Sequence, residues 1–530
     1  MSANRFLAAY RRGYAVMPVV GDPFSAMSAD RQSQLLRDRD PVLILEAAST
    51  VLADIERERR TDIVRRLPGN DRAAVQRWYD NPGRDMRPAP VPIHPLALLA
   101  ATTLALGQSR PGLRSDEERD DIASALTQVG LRWNDAILGT AGDDRSTLSL
   151  MARSALWRVV EQEDWMIWSG ELIQALELDP AAAHLQQAFE ERTGLTIKEW
   201  WYRGFGERAT RATHGARSWG GADHVDPDLE SAWNRLVSTP VGEAVDSARS
   251  TLSRRRPKDP PTVSDPFDLA WLASRPILTT PDDRRFQLWI GANNRCLLPA
   301  AIAQTVSEVT GVDYLQVAQR IGRSGEELLT RYLEAVPMQA NESRLAEAAM
   351  PAAISKCDYL VECSGALVGF EFTIMTPSRA LGAGHVDAVE ALVGRFADKL
   401  MQAYSAFEWR DPDHRLRWLP VLVLESPTVV DPLLNEQVHK ELVSRGVVDA
   451  GSESELMTCH APEFLDFLQY CSDAGLSPAE GVLEWRDSHL RGAALDWWLS
   501  DHDALRSSGR RRVGSVADVA EAVLTRSGSA

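Results

Sequence analysis

Eighteen residues from Lys356 to Thr373, KCDYLVECSGALVGFEFT, leave the chain few ways to fold. Apolar and β-forming residues flank Ser364-Gly365, a dipeptide suited to a tight turn. The run therefore reads as two adjacent strands, 357–363 and 366–375. Asp358 lies early on the first strand and Glu371 late on the second. Pairing the strands brings two carboxylates together, and hard divalent cations prefer such oxygen ligands.

The surrounding pattern alternates. A helix precedes the strands, and a second helix, Val386–Phe407, follows them. Next come a buried strand Trp418–Glu425, a helix Leu433–Arg445, a strand near Glu455–Cys459 and a helix Pro462–Ala474. This order, α-β-β-α-β-α-β-α, predicts an α/β domain with a mixed sheet over 341–475. Upstream, apolar residues recur at helical spacing, as at Ala47, Val51, Ile55 and Ile63, and Ser115 with Glu118 forms a capping-box pattern. Residues 1–252 are expected to form an α-helical N-terminal array. A linker over 253–262 follows, since SRRRPKDPP cannot continue a helix well. A helical bridge at 263–340 carries one short strand, Arg285–Ile290; Glu342–Ala349 is expected to be helical, and 476–530 is a helical extension. No fixed repeat period is present. Trp157, Trp165, Trp168, Trp200, Trp201, Trp219 and Trp233 crowd one stretch, and core packing between helices is the favoured reading over a base-stacking or peptide-gripping surface.

Composition narrows the function classes. The chain has 530 residues and a net charge of −17. From residue 341 onward it carries 17 basic and 29 acidic residues. Nucleic-acid affinity comes largely from neutralised phosphates, so this third is a poor general binding surface, and nucleic acid would need a local basic groove. Five cysteines without a Cys-x-x-Cys pair indicate neither a disulfide framework nor a zinc ribbon. No apolar run reaches the ~20 residues of a membrane span and the N-terminus lacks an apolar signal core, so a cytoplasmic protein away from membranes is expected. Walker-type, Gly-x-Gly-x-x-Gly and Gly-x-Ser-x-Gly motifs are absent, which leaves ATP, NAD and serine-hydrolase chemistry without support.

The order of elements over 340–475, with Asp358 and Glu371 at these places, resembles the restriction-endonuclease-like superfamily, the PD-(D/E)XK nuclease fold. The resemblance implies a phosphodiesterase core in which Asp358 and Glu371 hold Mg²⁺ and a lysine assists the attacking water. Glu347 matches an accessory helical acid, and Gln402 lies on the helix where some related nucleases carry a glutamine. Two departures stand out. Cys357 replaces the proline before the first acid, and Thr373 occupies the lysine position. A hydroxyl cannot replace an ammonium electrostatically. Lys356, facing the same way as Asp358 on a strand, and Lys399, one turn before Gln402, are the two candidates for a relocated lysine.

Two readings stay open. One is a scaffold or adaptor subunit carrying a degenerate nuclease-like domain, bound to other protein subunits in a bacterial complex; by analogy with where such domains occur, anti-phage defence is one setting. The other is an active Mg²⁺-dependent nuclease with a relocated lysine. His224-Val-Asp226, His385-Val-Asp387 and Cys459-His460 are weaker constellations. The first two read equally well as helix starts, and adjacent strand residues such as Cys459 and His460 point to opposite faces.

Overall fold

The computed structural model describes residues 27–56, 59–80, 95–112, 118–138, 163–214, 227–253, 275–282, 284–345, 354–375, 386–428, 430–449 and 455–488, with residues 93, 148, 269, 272, 350–352, 381, 495, 498 and 499. In chain order its helices begin with α1 (Ala29–Leu36), α2 (Pro41–Glu56), α3 (Arg60–Arg65), α4 (Gly69–Asp80), α5 (Pro95–Gly107) and α6 (Glu118–Leu138). They continue with α7 (Glu163–Leu178), α8 (Ala183–Thr193), α9 (Ile197–His214) and α10 (Pro227–Val237). Next come β1 (Ser238–Pro240), α11 (Val241–Ser253), β2 (Ile277–Thr279), β3 (Arg285–Gln287), α12 (Ile290–Cys296), α13 (Pro299–Thr310) and α14 (Tyr314–Ala335). The remaining elements are β4 (Ser343–Leu345), β5 (Tyr359–Cys363), β6 (Ala366–Thr373), α15 (Val386–Arg410), β7 (Arg417–Leu424), α16 (Pro432–Ser444), β8 (Met457–His460), α17 (Ala461–Ala474) and α18 (Pro478–Asp487). The chain is thus mostly helical, with a mixed five-stranded sheet toward its C-terminal end. Among the described residues no helix is long and apolar enough to cross a membrane.

The chain divides into two compact units. The first comprises residues 1–161, 203–297 and 378–385. Its core is built on α2, α5, α6 and α11, with Leu45, Leu52, Leu98, Leu126 and Ala248 fully or almost fully buried. A small sheet of order β1-β2-β3 lies in this unit, so the expected helical array also contains a short strand, Ser238–Pro240.

The second unit comprises residues 162–202, 298–377 and 386–530. Its sheet runs β4-β5-β6-β7-β8. The pair β5–β6 is antiparallel, and β6, β7 and β8 run parallel. Ser364 and Gly365 both take positive φ, 42° and 80°, which is the backbone of a tight two-residue hairpin turn. Phe370 and Phe372 pack on Phe464 of α17, with ring centroids 5.6 and 6.1 Å apart. The alternate residues of β6 face the other way. There Gly369 leaves room for α15: a Cβ at that position would lie 2.8 Å from the Phe407 ring. Trp165, Trp168, Trp200 and Trp201 are buried in this unit and Trp233 in the other, as expected of core tryptophans. Trp157 and Trp219 lie outside the described residues.

One segment departs from expectation. Glu342–Ala349, expected to be helical, contains the edge strand β4 instead, paired antiparallel with Leu360–Glu362. Cross-strand contacts outweigh local helix propensity here, since the Arg344 guanidinium lies 4.4 Å from the Tyr359 ring centre and also pairs with Glu334. The expected strand Arg285–Ile290 is shorter, ending at Gln287, and Ile290 already starts α12. Residues 254–262 of the expected linker and Ser115 of the capping box lie outside the described residues.

Candidate functional site

The hairpin aligns the two acids. Its register pairs Tyr359 with Phe370, so Asp358 and Glu371 stand one step farther from the turn. The Asp358 carboxylate extends the pairing by accepting a hydrogen bond from the Phe372 backbone N–H at 2.8 Å. Glu371 is 0 % exposed. It lies near the C-terminal end of β6, and the ends of parallel strands are where open sheets commonly place ligands.

Helix α15 supplies the cation. Its buried row of Phe396, Ala397, Leu400, Ala403 and Phe407 packs inward, in contact with β6 and β7. This places Lys399 over the acids. The Lys399 ammonium lies 3.0 Å from Asp358 Oδ2 and 3.0 Å from Glu371 Oε2. It also donates to Gln402 Oε1, one turn along the helix, at 3.0 Å. Neither Glu371 oxygen receives a hydrogen bond of good geometry despite the close ammonium.

The structure therefore brings Asp358, Glu371, Lys399 and Gln402 together. Lys356 is exposed just ahead of β5, and Thr373 ends β6 half-buried. Glu347, the expected accessory acid, lies outside the described residues, as do His224, Asp226 and His385. Asp387 sits in the first turn of α15. His460 is buried, with Nδ1 3.0 Å from Glu463 and Nε2 3.0 Å from the Thr428 carbonyl oxygen. Both ring nitrogens are thus engaged locally. Cys459 is fully buried, and that burial raises its thiol far above the ordinary range. A Cys459–His460 nucleophile pair gains nothing from this arrangement.

Two further acids belong to the same neighbourhood and went unrecognised in the sequence. Glu425 follows the last residue of β7, and its backbone N–H donates to the Thr373 carbonyl oxygen at 2.9 Å. Its own carbonyl oxygen accepts a hydrogen bond from the Trp168 indole at 3.2 Å. The Glu425 side chain is 0 % exposed, and neither carboxylate oxygen has a hydrogen-bond partner. The carboxylate abuts α14 at Gly325, where a Cβ would fall 1.7 Å from Oε2. Glu326, the next residue on that helix, is partly exposed. The only local signal was an acid closing an otherwise apolar strand.

Electrostatics tie these groups together. Burial, followed by the Asp358 charge, raises the Glu371 carboxyl well above the usual range, although Lys399 pulls it back. Burial followed by the charges of Glu326 and Asp358 does the same to Glu425. Glu326 is pushed up to about 7 by burial and then by Asp358, with Lys399 and Arg323 opposing. Burial would lower the Lys399 ammonium, but the charges of Glu371 and Asp358 outweigh it and the net shift is upward. Lys399 therefore stays charged at any ordinary pH.

The donor set suits a hard divalent cation, because it consists of carboxylate oxygens, several of them buried without hydrogen-bond donors. Among the described residues no three His, Cys, Asp or Glu side chains converge closely enough to enclose a metal. Compared with known proteins, the chain matches no family model, no curated protein and no solved structure.

Proposed function

We propose that this chain is a divalent-cation-dependent phosphodiesterase acting on nucleic acid, with its lysine supplied by α15 instead of by the strand position held by Thr373. The observation that carries the reading is the Lys399 ammonium, 3.0 Å from Asp358 and 3.0 Å from Glu371. A charged lysine at the acid pair is what the resemblance to PD-(D/E)XK nucleases asks for, and the sequence alone left its source open.

Each residue then has a task. Asp358 and Glu371 would hold Mg²⁺ or Mn²⁺, with water and a substrate phosphate completing the shell, as is common for Mg²⁺. A bound cation supplies Lewis-acid stabilisation of charge on the phosphate. Lys399 would offer its ammonium to the phosphate oxygens and the attacking water. Gln402 keeps that ammonium aimed. The buried side of the site limits competing water, which strengthens each of these interactions.

The test is cleavage of plasmid, linear DNA and RNA in Mg²⁺ or Mn²⁺ by the full chain beside Glu371→Gln and Lys399→Met. Cleavage by the wild type that falls at least ~100-fold in both variants supports the reading. Cleavage by none of the three, with the fold intact, overturns it.

That second outcome favours the scaffold or adaptor reading, in which the site is a relic. The observation on its side is Thr373, which stands where the resemblance calls for a lysine. Lys399 would then serve to neutralise the buried Glu371 and the half-buried Asp358.

A further inference from the structure

Helix α15 turns one row of side chains toward the acid pair. Residues three and four apart share a helical face, so Lys399 and Gln402 belong to the row Ala388, Ala391, Arg395, Lys399, Gln402 and Ala406. Lys399 fixes which way the row faces, because its ammonium meets both Asp358 and Glu371. Arg395 is the next long member, one turn (~5.4 Å) toward the start of the helix, and it is exposed. Helical side chains lean toward the N-terminus, so Arg395 reaches out over Ala391 and Ala388, which are too small to block it. Asp398 stands off the row and is held at 2.5 Å by Arg445, just after α16. One turn beyond the acid pair the row therefore presents a guanidinium, in a third of the chain where acidic residues outnumber basic ones by 29 to 17.

Lys399 is committed to two carboxylates, so holding a polyanion beside them calls for a further cation. Arginine suits that task, because its planar donors meet two phosphate oxygens at once. We infer that Arg395 binds the backbone phosphate next to the one at the Asp358–Glu371 pair and so sets the register of the nucleic-acid strand in the site. One helical turn is close to the step between successive phosphates along a strand, so both contacts form on one face of α15. Arg395 lies away from the reacting phosphorus, and its loss weakens binding more than turnover. The place of this contact in a reaction rests on the phosphodiesterase reading, whereas the contact itself is measured without cleavage.

The experiment reads the contact from salt dependence. The full chain is titrated in Ca²⁺ against labelled short duplex DNA and single-stranded RNA, by fluorescence anisotropy, over a series of KCl concentrations. Each neutralised phosphate steepens the fall of log affinity with log salt by about 0.9 on duplex DNA and about 0.7 on a single strand. On whichever nucleic acid binds tighter, Arg395→Gln is expected to weaken binding and to lower the slope by one such step. Arg395→Lys should keep the slope, because it keeps the charge. Arg415→Gln, in the turn beyond α15 beside Asp413, is the control and should match the wild type. In Mg²⁺, Arg395→Gln should raise KM and nearly keep kcat. A wild-type slope in Arg395→Gln, an equal loss in Arg415→Gln, or no salt-dependent binding by the wild type overturns the inference. A lowered slope without cleavage of any DNA or RNA in Mg²⁺ or Mn²⁺ would keep it and remove the phosphodiesterase reading. Cleavage with an unchanged slope would do the reverse.

Discussion

Glu326 shows what single residues at this site do to stability. Its carboxyl is raised from 4.5 to about 7, so between those values the folded chain holds a proton that the unfolded chain has released. The unfolded state then binds fewer protons, and the unfolding free energy falls as pH rises through that window. Glu371 and Glu425 are shifted in the same direction and add to the fall. With a chelator present, the thermal midpoint should drop from pH 5 to pH 8. Glu326→Gln should flatten part of that slope, by on the order of 1–2 kcal/mol after allowance for solvent screening. A midpoint that climbs over this range would contradict the account. At this scale the sequence spoke for Asp358 and Glu371, because both lie on one hairpin. It offered Lys356 and Lys399 as equals. Only the packing of α15 on the sheet separates them, and local spacing does not record how a helix is seated. Glu425 and Glu326 stayed hidden for the same reason, since β7 and α14 lie far apart in the chain.

Among the elements, α14 carries the sharpest consequence. Alanine normally improves on glycine inside a helix by about 0.5–1 kcal/mol. At Gly325 the added Cβ meets Glu425, so Gly325→Ala should instead destabilise by roughly 1–3 kcal/mol in chemical denaturation. Combining it with Glu425→Ala should recover most of the loss, because the clash needs both groups. Gly242→Ala on α11, where nothing lies within 4 Å, serves as the control and should be neutral or mildly stabilising. Equal effects at Gly325 and Gly242 would show that Glu425 does not press on α14. The elements themselves were mostly readable. Asp313 caps α14 and Asp431 caps α16, both by accepting backbone N–H groups as such residues do. Strand β4 was not readable, because its three residues owe their conformation to Tyr359 and the β5 edge, not to any pattern of their own.

Over the whole molecule, all five cysteines are buried thiols. Burial lifts each thiol, Cys296 to about 12 and Cys363 to about 11, and thiolate is the reactive form. Native protein at pH 8 should therefore release almost no colour with a thiol-exchange reagent, and five equivalents should appear on denaturation. Reductant should leave the thermal midpoint unchanged. Fast labelling of the native chain would show that one of these sites opens. Which stretches assemble into each unit was the least legible feature. Residues 162–202 belong with the sheet although more than a hundred residues separate them from β4. Their contacts, such as Trp168 with Glu425, are tertiary choices that leave no periodic trace. The turn at Ser364 and Gly365 has an evolutionary consequence as well. Asp358 and Glu371 stand six residues from it on either side, so their meeting depends on counting. A single inserted residue in either strand would turn one acid to the opposite face and break the site. Descendants of this chain can lengthen the hairpin only by equal steps on both arms, and parity there should outlast the identity of almost every residue between the acids.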